Sequence, residues 1–300
     1  MPTALVTGAS TGIGLATAQY IARQGYRVFA GARKPEMVER ERNIVPVKLD
    51  VDQAESVRGC VAEVLQEAGA IDVLVNNAGV ALAGAVEMVP LERVRGMFET
   101  NFYGAVRMMQ AVLPSMRERR SGTVVNVTSM MGHVTLGCHG FYSATKFALA
   151  AVSESLAMEI KPFGVRVAII EPGVILTPIW GKAEATMPEG HPYQLAMGRL
   201  SRLFRAQLDG GTKPDAVARG IYEAVREGAT KLRYVVGVDA EAMVAARDRM
   251  TAGDWLALLT EEDEARFVAK AEEAFGADLN HPPSLNARTT AAVVPQDESL

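Results

Sequence analysis

The chain has 300 residues, with 31 Lys and Arg against 35 Asp and Glu, a formal charge of −4; that balance argues against a nucleic-acid partner, which selects for basic blocks. With 49% hydrophobic and 22% charged residues it carries enough apolar material for a sizeable core, in one large domain or two ordinary ones, and is not disordered as a whole. Two cysteines, Cys60 and Cys138, neither in a CxxC pair, exclude a disulfide scaffold and point to a reducing, cytoplasmic setting.

The N-terminus enters a strand-like run at Thr3 to Thr7 without a basic segment ahead of an apolar one, so no signal peptide is expected. A helix follows over Ile13 to Gln24, stopped by Gly25, then a strand over Tyr26 to Ala30. The series continues with a strand at Ile44 to Leu49, a helix near Gln53 to Glu67 ended by Gly69, and a strand at Ile71 to Val75. Leu91 to Arg119 reads as one long helix that Pro114 kinks or ends, and Thr123 to Thr128 as a Val/Thr strand. The longest run free of Asp, Glu, Lys and Arg, Ser121 to Thr145, is interrupted by Gly122, Asn126 and His133 and is not a transmembrane helix. Phe141 to Ile160 is helical in composition and Val165 to Ile170 is an apolar β-branched run. Strands that are continuously apolar rather than alternating belong in a parallel sheet covered on both faces, so the fold class is α/β, a Rossmann-type doubly wound parallel sheet in a single domain. Pro172 to Tyr193 is a long Pro- and Gly-containing loop, of a length that usually serves function. Helices at Leu195 to Gln207 and Pro214 to Arg226 and a strand at Tyr234 to Val238 resume the alternation. Residues 1–240 are thus expected to form the doubly wound domain, with a loop-bearing segment at 172–213, a helical extension over 241–277 and a disordered tail over 278–300.

Between the first strand and the first helix lies T-G-A-S-T-G-I-G, with glycines at Gly8, Gly12 and Gly14. Glycine there permits positive φ and lets the backbone approach a pyrophosphate, which the following helix N-terminus attracts through free N–H groups. Strand before and helix after are the context this motif needs for dinucleotide binding. Beyond the second strand, where an acid would hold the ribose hydroxyls of NAD, stand Arg33 and Lys34. Two cations there favour a 2′-phosphate, hence NADP(H) over NAD(H).

Tyr142 and Lys146, in Y-S-A-T-K, are four apart and share a helix face. A nearby ammonium favours phenolate, so Lys146 is expected to lower the phenol from its ordinary value near ~10. Ser129, at the end of a strand, is placed to hydrogen-bond a carbonyl oxygen as charge develops on it. His133, Cys138 and His139 fit no zinc spacing, so no metal is expected and they are read as lining a substrate pocket. Met88, Met130, Met131, Trp180, Met187 and Tyr193 are candidates for its apolar wall.

These residues resemble the single-domain short-chain dehydrogenases/reductases. The resemblance rests on seven motifs in one order: Thr7 to Gly14, L-D-V at Leu49 to Val51, N-N-A-G at Asn76 to Gly79, T-N-F-Y-G at Thr100 to Gly104, V-T-S at Val127 to Ser129, Y-S-A-T-K at Tyr142 to Lys146, and E-P-G-V-I-L-T at Glu171 to Thr177. The stretch from Phe141 to Ala157 looks most like hydroxysteroid and retinol dehydrogenase relatives. The resemblance implies that Tyr142 is the general acid/base, that Lys146 lowers its pKa and holds the nicotinamide ribose, that Ser129 orients the substrate oxygen, and that Asn101 holds a relay water. It further implies that Gly8, Ser10, Gly12, Ile13 and Gly14 line the pyrophosphate and ribose, Asp50 and Val51 the adenine, Asn77 the adenosine-side ribose and Thr177 the carboxamide. Arg33, Ala78, Gly79, Pro172 and Gly173 complete the cofactor set with Tyr142 and Lys146. Thr11 departs from the pattern, since many NADP-dependent members carry a basic residue there. The implied activity interconverts a secondary alcohol and a ketone, or a retinal-like aldehyde, on a small hydrophobic substrate, in a homodimer or homotetramer. The alternatives are a carrier-linked 3-oxoacyl reductase and a non-catalytic NADP(H)-binding redox sensor.

Overall fold

The computed structural model describes residues 1–178, 190–208, 211–226 and 231–279. Seven strands form one parallel sheet: β1 (Thr3–Thr7), β2 (Arg27–Ala32), β3 (Ile44–Lys48), β4 (Val73–Asn76), β5 (Gly122–Val127), β6 (Val165–Pro172) and β7 (Arg233–Val236), in the order β3-β2-β1-β4-β5-β6-β7. β1 is buried at all five positions, as a central strand covered on both faces must be. Its register against β2 pairs Val6 with Ala30, and against β4 pairs Leu5 with Leu74.

Alternate residues of the strands feed two cores. Ala4, Val6, Val28, Val75 and Ile170 pack under α1 (Gly12–Arg23) and, C-terminal to the long loop, α7 (Pro214–Arg226), which contributes Val217 and Ile221. Leu5, Phe29, Leu74 and Val124 face α2 (Ala54–Ala68), α4 (Gly104–Arg119) and α5 (Gly140–Ile160) on the other side. Period-2 side-chain direction makes this two-sided burial automatic once both layers exist.

The stretch read as one helix from Leu91 to Arg119 is two helices, α3 (Leu91–Phe98) and α4, joined by a π-helical turn at Glu99–Tyr103. Pro114 neither ends the helix nor marks the break. Gln110, whose carbonyl loses its partner to the proline ring, is exposed, as is Pro114 itself, so water satisfies the freed group.

A third core lies beyond the sheet's C-terminal end. Met130, Met131, Leu136 and Val174 meet α6 (Gln194–Ala206), α8 (Val238–Arg249), α9 (Ala252–Leu259) and α10 (Glu264–Phe275). The last strand stops at Val236 rather than Val238, because Gly237 at φ 117 turns the chain directly into α8. Leu279 is buried, with its N–H donated to Glu272, so order extends two residues into the segment read as a tail. The rest of that segment, and Trp180 and Met187, lie outside the described residues. Among the described residues no helix is long and apolar enough to cross a membrane.

Candidate active site

β1 and β4 are neighbours whose following connections run to opposite sides, and an open parallel sheet forms its ligand crevice at the carboxyl ends of such strands. A cleft of about 690 Å³ opens there. Gly8, Ser10, Gly12, Ile13, Arg33, Asp50, Val51, Asn77, Ala78, Gly79, Ser129, Tyr142, Lys146, Pro172, Gly173 and Thr177 all line it, with Lys34 beside Arg33. His133, Cys138, Met88 and Tyr193, expected in the substrate wall, do not line it, and neither do two of the expected catalytic and cofactor residues. Gly14 stands behind the loop: a Cβ there would lie 2.3 Å from the Gly8 oxygen and 2.5 Å from Asn77 Nδ2. Its lack of a side chain lets α1 press against the glycine loop, and it contributes no surface to the cleft. Asn101 lies under the wall, 1% exposed.

The glycine loop fits an anionic cofactor. Gly8 and Gly12 sit at φ 65 and 58, where side chains are strained. α1 begins without a side-chain cap from Thr11 and without an acidic residue in its first turn. Its leading N–H groups are thus left for a ligand, and its dipole is uncompensated. Arg33 and Lys34 follow β2 directly, exposed at the same rim. Asn77 closes the loop from β4: its side chain donates to the Thr7 and Gly8 carbonyls at 2.9 and 3.3 Å. Thr7 Oγ1 in turn accepts from the Asn77 and Ala78 N–H groups, both at 3.0 Å.

The other end of the cleft is built by β5 and α5. Beyond Val127, Ser129 caps a short 3-10 turn by accepting the Met131 N–H at 3.1 Å. A buried polar chain holds α5 on the sheet: Asn76 donates to Asn126 at 2.8 Å, Asn126 to Ser153 at 2.8 Å, and Ser153 to the Leu149 carbonyl at 2.6 Å. Lys146 is 5% exposed, and its ammonium donates to the Val127 carbonyl at 3.1 Å and lies 5.7 Å from the Tyr142 ring centroid. Burial pushes the Tyr142 phenol up to about 12, against a side-chain hydrogen bond with Ser129 that lowers it. Burial holds Lys146 down to about 8. The direction that burial sets for this phenol is thus opposite to the one a neighbouring ammonium favours.

Asn101 sits in the π-helical turn. Its Oδ1 accepts the Val80 N–H at 2.8 Å, and its Nδ2 donates to the Val80 carbonyl at 2.9 Å and to Thr145 Oγ1 at 3.1 Å. Thr145 in turn donates to the Tyr142 carbonyl at 2.8 Å. A π turn inserted into an α-helix is a frequent mark of a functional position, and here it delivers Asn101 between the β4 loop and α5.

Two residues that carry the site have no motif to announce them. Phe204, from α6, lines the cleft. Asp239, in the first turn of α8, accepts the Val174 N–H at 2.6 Å, and a Cβ on Gly173 would come within 2.2 Å of its carboxylate. With Gly173 N–H donated to Val236 and Leu176 N–H to Thr212, it fixes the loop that ends at Thr177. An acid just after Gly237 was the only available signal. His133 pairs with Asp248 at 2.8 Å, whereas His139 packs on Tyr142.

The short chain dehydrogenase family profile matches residues 2–188. The chain belongs to that family. It is therefore an oxidoreductase of the NAD(P)-binding, Rossmann-fold kind. It is 44% identical over 170 residues to the 3-ketodihydrosphingosine reductase of Bacteroides thetaiotaomicron, an alignment covering 56% of this chain and 62% of that protein. It is 40% identical over 251 residues to retinol dehydrogenase 8 of Bos taurus, covering 77% and 80%. A short-chain dehydrogenase structure from Streptomyces avermitilis superposes with TM-score 0.76 at 36% identity, covering 87% of this chain and 95% of that one.

Proposed function

We propose that this family member interconverts a secondary alcohol and a ketone, or a retinal-like aldehyde, of a small hydrophobic substrate, with NADP(H) preferred over NAD(H). The observation that carries this reading is the meeting of Ser129, Tyr142 and Lys146 at one end of a cleft whose other end holds the glycine loop and the Arg33–Lys34 pair. Met130, Met131, Val174 and Phe204 supply an apolar wall beside the phenol, in keeping with relatives named for retinol and for a ketosphingoid base.

A bound nicotinamide supplies or accepts the hydride. In reduction, Tyr142 is the acid: with its phenol held near 12 it is neutral and carries the proton that the carbonyl oxygen needs. Ser129 hydrogen-bonds the same oxygen and stabilises its developing charge. Lys146, charged below about 8, is the cation that favours phenolate once the proton has left, and it would hold the ribose. Gly8, Ser10, Gly12 and Ile13 would hold the pyrophosphate, Asp50 and Val51 the adenine, Arg33 and Lys34 the 2′-phosphate, and Thr177 the carboxamide. Asn101 would hold the relay water, while its side-chain amide, bonded to Val80 and Thr145, braces the β4 loop, with Ala78 and Gly79, against α5.

Exposed Tyr103, Phe147 and Met158 on the helices at the chain's α4–α5 side support association into a homodimer or homotetramer, and the free cysteines support a cytoplasmic setting. The test is a panel of steroids, retinoids, long-chain ketones and small carbonyls with both cofactors, alongside fluorescence titration of each. Turnover of hydrophobic carbonyls with NADPH bound more tightly than NADH is the expected result. Tighter NADH would remove the role given to Arg33 and Lys34, and cofactor binding without turnover of any carbonyl would favour a redox sensor.

A further inference from the structure

Beyond Ser129 and Tyr142, the described residues on the substrate side of the cleft are apolar except at His139. This residue lines the cleft and is 5% exposed. Its ring lies 4.7 Å from the Tyr142 ring and 5.4 Å from that of Phe204, centroid to centroid. Nδ1 is buried and has no hydrogen-bond partner among the described residues. Burial holds the imidazole down to about 4, so it is neutral at physiological pH, with one N–H donor and one bare acceptor nitrogen.

The backbone that presents this ring is tightly held. Cys138, immediately before it, stands at φ 59, a left-handed conformation that non-glycine residues adopt only where their surroundings enforce it. The Cys138 carbonyl accepts the Gly84 N–H at 2.7 Å, the His139 N–H donates to Leu136 at 3.2 Å, and the His139 carbonyl accepts the Ser143 N–H at 3.0 Å. A buried polar atom without a partner destabilises the fold, and in a native protein such an exception calls for a reason. A ligand that brings the missing partner is one. The ring lies against the Tyr142 ring and lines the cleft, so a ligand group that meets it sits at the Tyr142 end of the cleft rather than at the Arg33–Lys34 end.

We propose that His139 is a specificity-determining residue that hydrogen-bonds a hydroxyl or amino group on the carbon beside the reacting carbonyl, making the substrate an α-hydroxy or α-amino ketone on an apolar chain. This rests on the carbonyl-reductase reading above and narrows it. Met130, Met131 and Phe204 take the chain, and His139 takes the heteroatom.

The test compares 1-hydroxy-2-dodecanone with 2-dodecanone, using NADPH, in the wild type, His139→Phe and His139→Asn. Phenylalanine keeps the ring packing against Tyr142 and Phe204 and removes both nitrogens; asparagine restores a polar atom near the place of Nδ1. The wild type should favour the hydroxyketone in kcat/KM by roughly tenfold, the order of one hydrogen bond. His139→Phe should bring the ratio of the two kcat/KM values to about one, and His139→Asn should recover part of the preference. Equal turnover of the two ketones by the wild type, or an equal loss on both in His139→Phe, would overturn the proposal. Should NADPH bind while neither ketone turns over, the reductase reading fails. Calorimetry of 1,2-dodecanediol against 2-dodecanol in the wild type then decides the role of His139: tighter diol binding upholds the contact and equal affinities overturn it.

Discussion

Tyr142 and Lys146 are moved by burial in opposite directions, the phenol to about 12 and the ammonium to about 8. Desolvation disfavours whichever form is charged, so it raises an acid that ionises to an anion and lowers a cation. The consequence for activity has a definite sign. Below about pH 8 Lys146 is protonated and the phenol is neutral, which is the pair a reductase needs. Above it Lys146 loses its charge while the phenol still holds its proton. Reductive kcat/KM, which reports the free enzyme, should therefore be level up to about pH 8 and fall above it; a profile level to pH 10 would remove Lys146 from the reaction. The spacing of Tyr142 and Lys146 made their shared helix face legible from the residues alone. The direction of the phenol's shift was not, because it depends on how much water the third core and the β5 turn exclude, and that is a sum over distant segments.

At the scale of elements, the π-helical turn at Glu99–Tyr103 decides what Asn101 can do. It turns the side chain inward to bond both backbone groups of Val80 and the Thr145 hydroxyl. Asn101→Ala would break two part-buried bonds to Val80 and a buried one to Thr145, and a buried group left unpaired costs about 1–3 kcal/mol. A drop of about that size in unfolding free energy by urea titration is expected, with weaker NADPH binding as the β4 loop loosens; unchanged stability and affinity would show that the network is dispensable. The helical pattern from Leu91 to Arg119 was evident in the sequence, but apolar periodicity is too coarse to register one extra residue in a turn. Pro114 was the obvious breaker but lies inside α4, on a side of the helix that faces water. The same coarseness left α8 and α9 undivided within the helical extension expected over 241–277. The start of α8 hangs on Gly237 and Asp239, and only the contact of Asp239 with Val174 reveals why an acid belongs there.

For the whole molecule, the sheet with its two covering layers could be read from continuous β-branched runs, whereas the third core could not, since it draws on Met130 and Leu136 near the middle of the chain and on α6 and α8 to α10 near its end. Trp255 ties these together: it is 7% exposed, donates its indole N–H to the Thr135 carbonyl at 3.2 Å and meets Phe275 edge-on at 5.7 Å. Trp255→Ala should cost about 3–5 kcal/mol in denaturant unfolding and raise KM for the carbonyl substrate more than for NADPH. A loss below about 1 kcal/mol would mean that the C-terminal helices are not integral to the substrate side, since large buried aromatics rarely cost so little.

The central claim, that this family member is an enzyme whose proton donor is Tyr142, is tested most directly by the turnover of Tyr142→Phe measured beside its NADPH affinity. Removing one oxygen leaves the ring against His139 and Lys146. NADPH binding should stay within a fewfold of the wild type while carbonyl reduction falls by about 10²–10⁴-fold, the usual contribution of a positioned acid or base. Reduction within tenfold of the wild type, with the cofactor bound as before, would contradict it.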